Sequence, residues 1–335
     1  MKRNRLVSRL GLVWLVAALA LAACSTPRNE TATPASLQVN GVTRVNTEDG
    51  SADLSVSAFD ASGDLIEKGA LEVVSVTVDD VAVAGASVSP AQAYTATAEI
   101  CAPIAARDSL RGILTLDATL SMEWNDPDEL RGVAARAFAD RVRPVDEFAV
   151  ASFSYDTTST AVYAPPGYYH LHSDFTADAS VLYDAIDEAL IYPELSGTPF
   201  YRAAYYLIDE LGEKGERVLL MLTDGEDTVG GISPTSVIEH AIDSGVTVYI
   251  VGLGGGLHSH GQLATIAQAT GGIYQHSEDP EGLEAMFTKV WQAAAASGCV
   301  TVSFDPVPAP GTLITVTVVL EVAGVELPVT AEIQF

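Results

Sequence analysis

Residues 110–122 read LRGILTLDATLSM. An apolar run of strand length stops at Asp117, and Asp117, Thr119 and Ser121 then occupy every second position. In extended or loop backbone that spacing aims side chains the same way, so one carboxylate and two hydroxyls are presented together. Two later stretches have the same character. Gly197-Thr198-Pro199-Phe200 opens a helical pattern, with Pro199 suited to the first helical position and Thr198 to the N-cap. Leu222-Thr223-Asp224-Gly225-Glu226-Asp227 ends an apolar strand. All three lie at strand-to-helix transitions, where open α/β sheets place their ligand crevice. Helix capping and turn formation account for each piece alone, but not for their common placement.

On both sides of residue 117, strands and helices alternate. Strands are expected at 110–116, 148–153, 218–222, 246–251 and 273–275. Helices are expected at 129–142, 180–190, 200–211, 233–244, 262–269 and 280–296. Residues 160–163 are expected to pair with 148–153 as a hairpin across the turn at 155–158. Such alternation predicts an α/β class, with a doubly wound, mostly parallel sheet covered on both faces. The flanks differ. Residues 37–100 are valine-rich, alternating and poor in helix signals, and residues 299–335 return to that style, with 312–322 and 327–335 around the turn Ala323-Gly324. A two-stranded hairpin alone is marginal in water. The C-terminal segment is therefore expected to complete a small β-sandwich begun by 37–100, loosely similar to bacterial immunoglobulin-like sandwiches, with the α/β domain inserted over 101–298.

The donor set offers only oxygen. Hard cations such as Mg²⁺ take carboxylate, hydroxyl and water ligands. Asp117 and Asp224 would neutralise a divalent ion, and the hydroxyls of Thr119, Ser121 and Thr198 add no charge. The ion then stays electrophilic enough to accept one more carboxylate from outside. No nucleophile–base pair accompanies the set, so a binding role is favoured over a hydrolytic one.

The segments DATLSM, GTPFYRA and TDGED together resemble the metal-ion-dependent adhesion site of von Willebrand factor A-type (vWA) domains, whose pattern is Asp-x-Ser-x-Ser, then Thr, then Asp. The resemblance spans roughly residues 108–297. It implies that Asp117, Thr119, Ser121, Thr198 and Asp224 hold Mg²⁺ (or Mn²⁺ or Ca²⁺), some directly and some through water. It also implies a protein partner that supplies an Asp or Glu carboxylate. Thr119 stands where the family usually has serine; it keeps the hydroxyl and adds a methyl. In some members the last helix, here 280–296, shifts when the ligand carboxylate arrives.

The N-terminus reads as an export signal. Residues 1–9 are basic, 10–23 are apolar and too short to cross a bilayer comfortably, and Leu21-Ala22-Ala23-Cys24 resembles the lipobox of bacterial lipoproteins. The resemblance implies cleavage after residue 23 and lipid on Cys24, where a thioether requires a thiol. Ser25 resembles outer-membrane sorting. The expected product is exported and lipid-anchored to the cell envelope, at the periplasmic or surface face of the outer membrane; a soluble secreted chain or an uncleaved anchor is the alternative. Residues 24–36 read as a flexible tether. Cys101 and Cys299 remain, on either side of the α/β segment, and in an oxidising compartment they are a disulfide candidate, with two buried thiols as the alternative.

Hydrophobic residues make up 48% and charged residues 18%, which excludes a disordered chain. The formal net charge of −27 repels nucleic acid and anionic lipid headgroups. Weaker patterns read as ordinary structure. Gly252-Leu253-Gly254-Gly255-Gly256 lacks the lysine of a phosphate loop. His170/His172 and His258/His260 show no companion zinc ligands and read as surface loops. Glu123, Asp126 and Asp128 read as a solvated acidic loop rather than a second cation site. Tyr168 and Tyr169 suit either partner contact or packing. Adhesion is thus the favoured role, with envelope assembly as the alternative.

Overall fold

The computed structural model describes residues 33–62, 64–83, 94–156, 163–191, 195–254 and 260–335. The signal segment, Cys24 and most of the tether lie outside the described residues, as do residues 157–162, Gly255, Gly256 and His258.

The chain begins with β1 (Pro34–Asn46), β2 (Ser51–Asp60), β3 (Lys68–Gly69), β4 (Leu71–Val83) and β5 (Thr95–Ala106). An α/β segment follows: β6 (Leu110–Asp117), α1 (Met122–Asn125), α2 (Leu130–Ala139), β7 (Glu147–Phe153), β8 (Tyr169–Leu171), α3 (Ala179–Ile191), α4 (Phe200–Glu210), β9 (Glu216–Thr223), α5 (Pro234–Ser244), β10 (Val246–Leu253), α6 (His260–Ala269), β11 (Tyr274–Ser277) and α7 (Leu283–Ala295). The chain ends with β12 (Ala296–Asp305), β13 (Thr312–Val322) and β14 (Val325–Gln334).

The α/β sheet has the order β11-β10-β9-β6-β7-β8. Its pairs are parallel except β7–β8. The chain runs outward from β6 to one edge, returns, and runs from β9 to the other edge. β6 and β9 are therefore the neighbours at which the winding reverses, and their carboxyl ends open the crevice expected of such sheets. Period-2 alternation assigns the faces. Leu110, Leu114 and Leu116 of β6 and Val218, Leu220 and Leu222 of β9 meet α2, α3 and α7. Ile113, Leu219 and Met221 point the other way, to α4, α5 and α6. On the first face Phe138 makes edge-on contacts with Phe148, Phe287 and Trp291 at 5.2–6.3 Å, the offset geometry that aromatic quadrupoles favour. On the second, Ser233 caps α5 by accepting the N–H of Ser236, with Pro234 at the first helical position.

Gly272 allows β11 to reach β10. A Cβ there would sit 2.1 Å from the carbonyl oxygen of Val248, a backbone atom that cannot swing aside. Gly272→Ala is expected to lower stability by about 1–3 kcal/mol. A thermal melt unchanged within error would show that this crossing is looser than the geometry implies.

The flanks form two antiparallel sheets, ordered β1-β2-β12-β5-β3 and β14-β13-β4. The C-terminal hairpin does not stand alone: β13 lies between β14 and β4, and β12 lies between β2 and β5. Leu54, Val56, Val300 and Val302 of one sheet and Ile314, Val316, Val318 and Leu320 of the other are buried. Phe304 and Phe335 meet edge-on at 5.5 Å. Cys101 on β5 and Cys299 on β12 are disulfide-bonded, with Cα atoms 5.0 Å apart. The strands run past the expected limits, since β5 continues to Ala106 and β12 starts at Ala296, directly after α7.

Two other expectations are corrected, and one lies largely outside the described residues. Residues 34–36, read as tether, already belong to β1; β2 supplies the ladder partners that a local composition reading does not see. Among the described residues the antiparallel partner of β7 is β8 at 169–171; the strand expected at 160–163 lies, except for Tyr163, outside the described residues. The chain first passes through Pro165-Pro166-Gly167, whose prolines cannot donate to a ladder, and turns at Tyr168, which has a positive φ of 57°. Asp126 is buried, not solvated: it accepts the N–H groups of Leu130 and Arg131 at the start of α2 and pairs with the Arg131 guanidinium at 3.0 Å.

Candidate metal-ion site at the sheet's switch point

The carboxyl end of β6 delivers Asp117, which is 1% exposed. Its Oδ1 accepts the N–H of Thr119 at 2.9 Å, folding the loop back on the strand end. Its Oδ2 accepts the hydroxyl of Thr223, from the end of neighbouring β9, at 2.8 Å. The Thr119 and Ser121 hydroxyls lie 3.0 Å apart, and Ser121 Oγ donates to Asp224 Oδ1 at 2.8 Å. Ser121 occupies the N-cap of α1, yet its side chain makes no cap bond; the hydroxyl serves the cluster instead. Asn125 donates to the other Asp224 oxygen at 2.9 Å. Hydrogen bonds thus knit together the ends of β6 and β9 at the switch point.

Thr198 arrives from a separate loop. Gly197 donates to the carbonyl of Tyr155 at 2.8 Å, and a Cβ on Gly197 would press to 3.0 Å on that same oxygen, so the approach needs glycine. Thr198 is buried, and its hydroxyl lies 3.4 Å from where a Cβ of Gly225 would stand. Thr198 is not the N-cap of α4. Pro199 takes that place, the Thr198 N–H bonds Thr228 Oγ1 at 2.8 Å, and Asp227 accepts the first-turn N–H of Tyr201 at 2.9 Å. With capping delegated to Asp227, the Thr198 side chain is left to the cluster. Of the five residues named from the sequence, Asp117, Thr119, Ser121 and Asp224 are thus joined through hydrogen bonds, and Thr198 reaches Gly225 beside Asp224. Two supporting residues were not singled out there: Thr223, whose hydroxyl steers Asp117, and Asn125, one helical turn beyond Ser121, where i, i+4 spacing places it on the same face.

Burial, then the nearby Asp224 charge, pushes the Asp117 carboxyl up to about 7. Burial also raises Asp224, against the hydrogen bonds of Asn125 and Ser121. Two carboxyls this close and this dry cannot both ionise cheaply unless a cation lies between them. The donors are carboxylate and hydroxyl oxygens throughout, which suits a hard divalent ion. A raised carboxyl pKa favours the metal-free fold at low pH and ceases to do so as pH climbs through about 7. Metal-free protein should therefore melt progressively lower as pH rises from the ordinary carboxylate range to neutrality, and the stabilisation given by saturating Mg²⁺ should grow over the same window. A Mg²⁺-induced melting shift independent of pH would contradict this electrostatic picture.

Comparison with known proteins bears on this geometry. The family model for the von Willebrand factor type A domain matches residues 132–289. The fold is that of a vWA domain. The family match starts after Asp117, Thr119 and Ser121 and includes Thr198 and Asp224. A Bacillus subtilis relative, the uncharacterized protein YwmC, is 36% identical over 81 residues, which are 24% of this chain and 35% of that protein. The match thus spans about a third of the relative's length. Among solved structures, proximal thread matrix protein 1 from the mussel byssus, with a zinc-occupied adhesion-site motif, is similar at 19% identity and a TM-score of 0.46 over 61% of this chain and 49% of its own. A von Willebrand factor type A protein from Catenulispora acidiphila is similar at 14% identity and 0.46, over 79% and 73%.

Proposed function

We propose that this chain is a cell-envelope lipoprotein, anchored to the outer membrane through Cys24, that uses one divalent cation to hold an acidic group of a protein partner. Asp117, Thr119, Ser121, Thr198 and Asp224 form the cation's shell, Mg²⁺ being the best match, with Mn²⁺ and Ca²⁺ as substitutes. The observation that carries the reading is the pair of buried carboxylates held close together among hydroxyls at the switch point. A divalent ion cancels their two charges and remains attractive to a third carboxylate. Trp124, 72% exposed, lies on α1 between Ser121 and Asn125. An exposed aromatic at the rim of such a site suits a partner's surface. The negative charge of the whole chain draws cations toward the crevice.

The test is affinity capture from native envelopes in Mg²⁺, followed by elution with EDTA. The expected result is a partner released by chelation and not retained by Asp117→Asn protein. A partner that stays bound in EDTA would instead favour a scaffold role in envelope assembly.

The last helix bears on regulation. α7 runs straight into β12, and Cys299, four residues beyond the helix, is tied to Cys101. A shift of α7 on partner binding would pull on that tie, so reducing the bond should change partner affinity. Equal affinity with and without reductant would sink this idea.

A further inference from the structure

We propose a second metal site, of the zinc class, formed by His170, His172 and Glu188 at the β8 edge of the α/β sheet. One ligand atom from each of the three lies within 4.8 Å of the others. The site is separate in sequence and chemistry from the oxygen cluster above, since two imidazoles and one carboxylate suit Zn²⁺ rather than Mg²⁺.

The fold builds the cluster in two steps. On an extended edge, residues two apart face the same way, so His170 and His172 stand side by side, their rings edge-on with centroids 4.8 Å apart. α3 packs over β7 beside them and brings Glu188 to the same place. Glu188 Oε1 lies 3.7 Å from Nδ1 of His172, whose side chain is fully buried. Ligands of one tetrahedral zinc lie about 3.3 Å apart, as follows from metal–ligand distances near 2.0–2.1 Å. Closing the triangle thus needs only small side-chain movements, and Glu188, half exposed, has room to make them.

His172 is also oriented as a metal-bound histidine should be. Its Nε2 lies 2.8 Å from the Ser152 hydroxyl on β7, and the Tyr163 hydroxyl lies 3.4 Å further along. Such an outer hydrogen bond fixes the ring and its tautomer, leaving Nδ1 directed at the ion. With three protein ligands, the fourth position would take water. The ion would tie the three-residue strand β8 to α3 at the edge of the sheet.

The sequence alone made these histidines a surface loop, because Glu188 is distant in the chain. The test uses purified full-length protein carrying Asp117→Asn, which removes the oxygen site as a competing place for zinc. Calorimetry should find one zinc equivalent, and Co²⁺ should give the intense visible absorption of a tetrahedral nitrogen-ligated site. Adding His170→Ala, at a partly buried position, or Glu188→Gln, at an exposed one, should weaken zinc binding by at least ~10-fold and abolish the cobalt band. Zinc affinity unchanged by both substitutions, or no zinc bound by the Asp117→Asn protein, overturns the proposal. Should Asp117→Asn fail to fold, the same substitutions in the otherwise unaltered chain must remove the cobalt band while leaving Mg²⁺ affinity as it was. Loss of Mg²⁺ affinity with them would count against a separate site.

Discussion

Asp117→Asn protein should bind no Mg²⁺ measurable by calorimetry, yet melt at least as high as the unaltered protein when both are metal-free at pH 8. The two halves of this result have one cause. Asp117 is buried beside Asp224 and is pushed up to about 7, first by desolvation and then by that neighbour. At pH 8 the metal-free fold therefore carries an ionised carboxylate in a place that disfavours it. The amide oxygen of asparagine can still accept from Thr119 N–H or the Thr223 hydroxyl, so the loop keeps its shape while the repulsion disappears. The same change removes half of the charge that offsets a divalent ion. Asp117→Ala is the harsher variant, since it leaves two buried donors without their acceptor. It too should lose the ion, with a lower melting temperature. Mg²⁺ affinity in Asp117→Asn equal to that of the unaltered protein would refute the site; a marked fall in metal-free stability would refute the electrostatic account and leave the ligand assignment standing.

Removing the Cys101–Cys299 bridge should cost about 5 kcal/mol. The bond joins residues 198 apart, and the chain-entropy relation gives about that value for so long a loop. The magnitude follows from position in the chain: the closed loop contains the whole α/β domain. The ladder between β5 and β12 persists without the bond, so the double variant Cys101→Ser, Cys299→Ser should keep its fold at low temperature and melt much earlier. Because the metal cluster lies at the carboxyl ends of β6 and β9, Mg²⁺ affinity should be unchanged. A loss below ~1 kcal/mol by denaturant titration would show that the sandwich strands already restrain the unfolded chain, or that native contacts hold the insertion ends regardless.

Much of the architecture was written locally. The apolar runs ending at Asp117 and Thr223, and helix punctuation such as Ser233-Pro234, act over a few residues, and their spacing in the chain is their spacing in space. For the same reason the three oxygen-bearing segments could be picked out in order. Periodicity failed where pairing is decided at a distance. β7 takes an antiparallel neighbour from β8, a three-residue strand that periodicity does not mark, and Pro34 to Ser36 joined a strand because β2 offers them a ladder. Asp126 looked like one more exposed acid until Arg131 and the first turn of α2 closed around it.

Residue type and spacing alone thus set the α/β class, the oxygen donor set and the candidate cysteine pair, because each depends on backbone periodicity or on the chemistry of a single side chain. Which side chains meet was decided by tertiary packing. Parallel strands join residues a hundred positions apart, so only the winding of β6 against β9 could set Asp117 beside Asp224, and only α3 lying over β7 could carry Glu188 to His172. Burial, which raises the Asp117 and Asp224 carboxyls and lowers the His172 imidazole, exists only once those surfaces have closed.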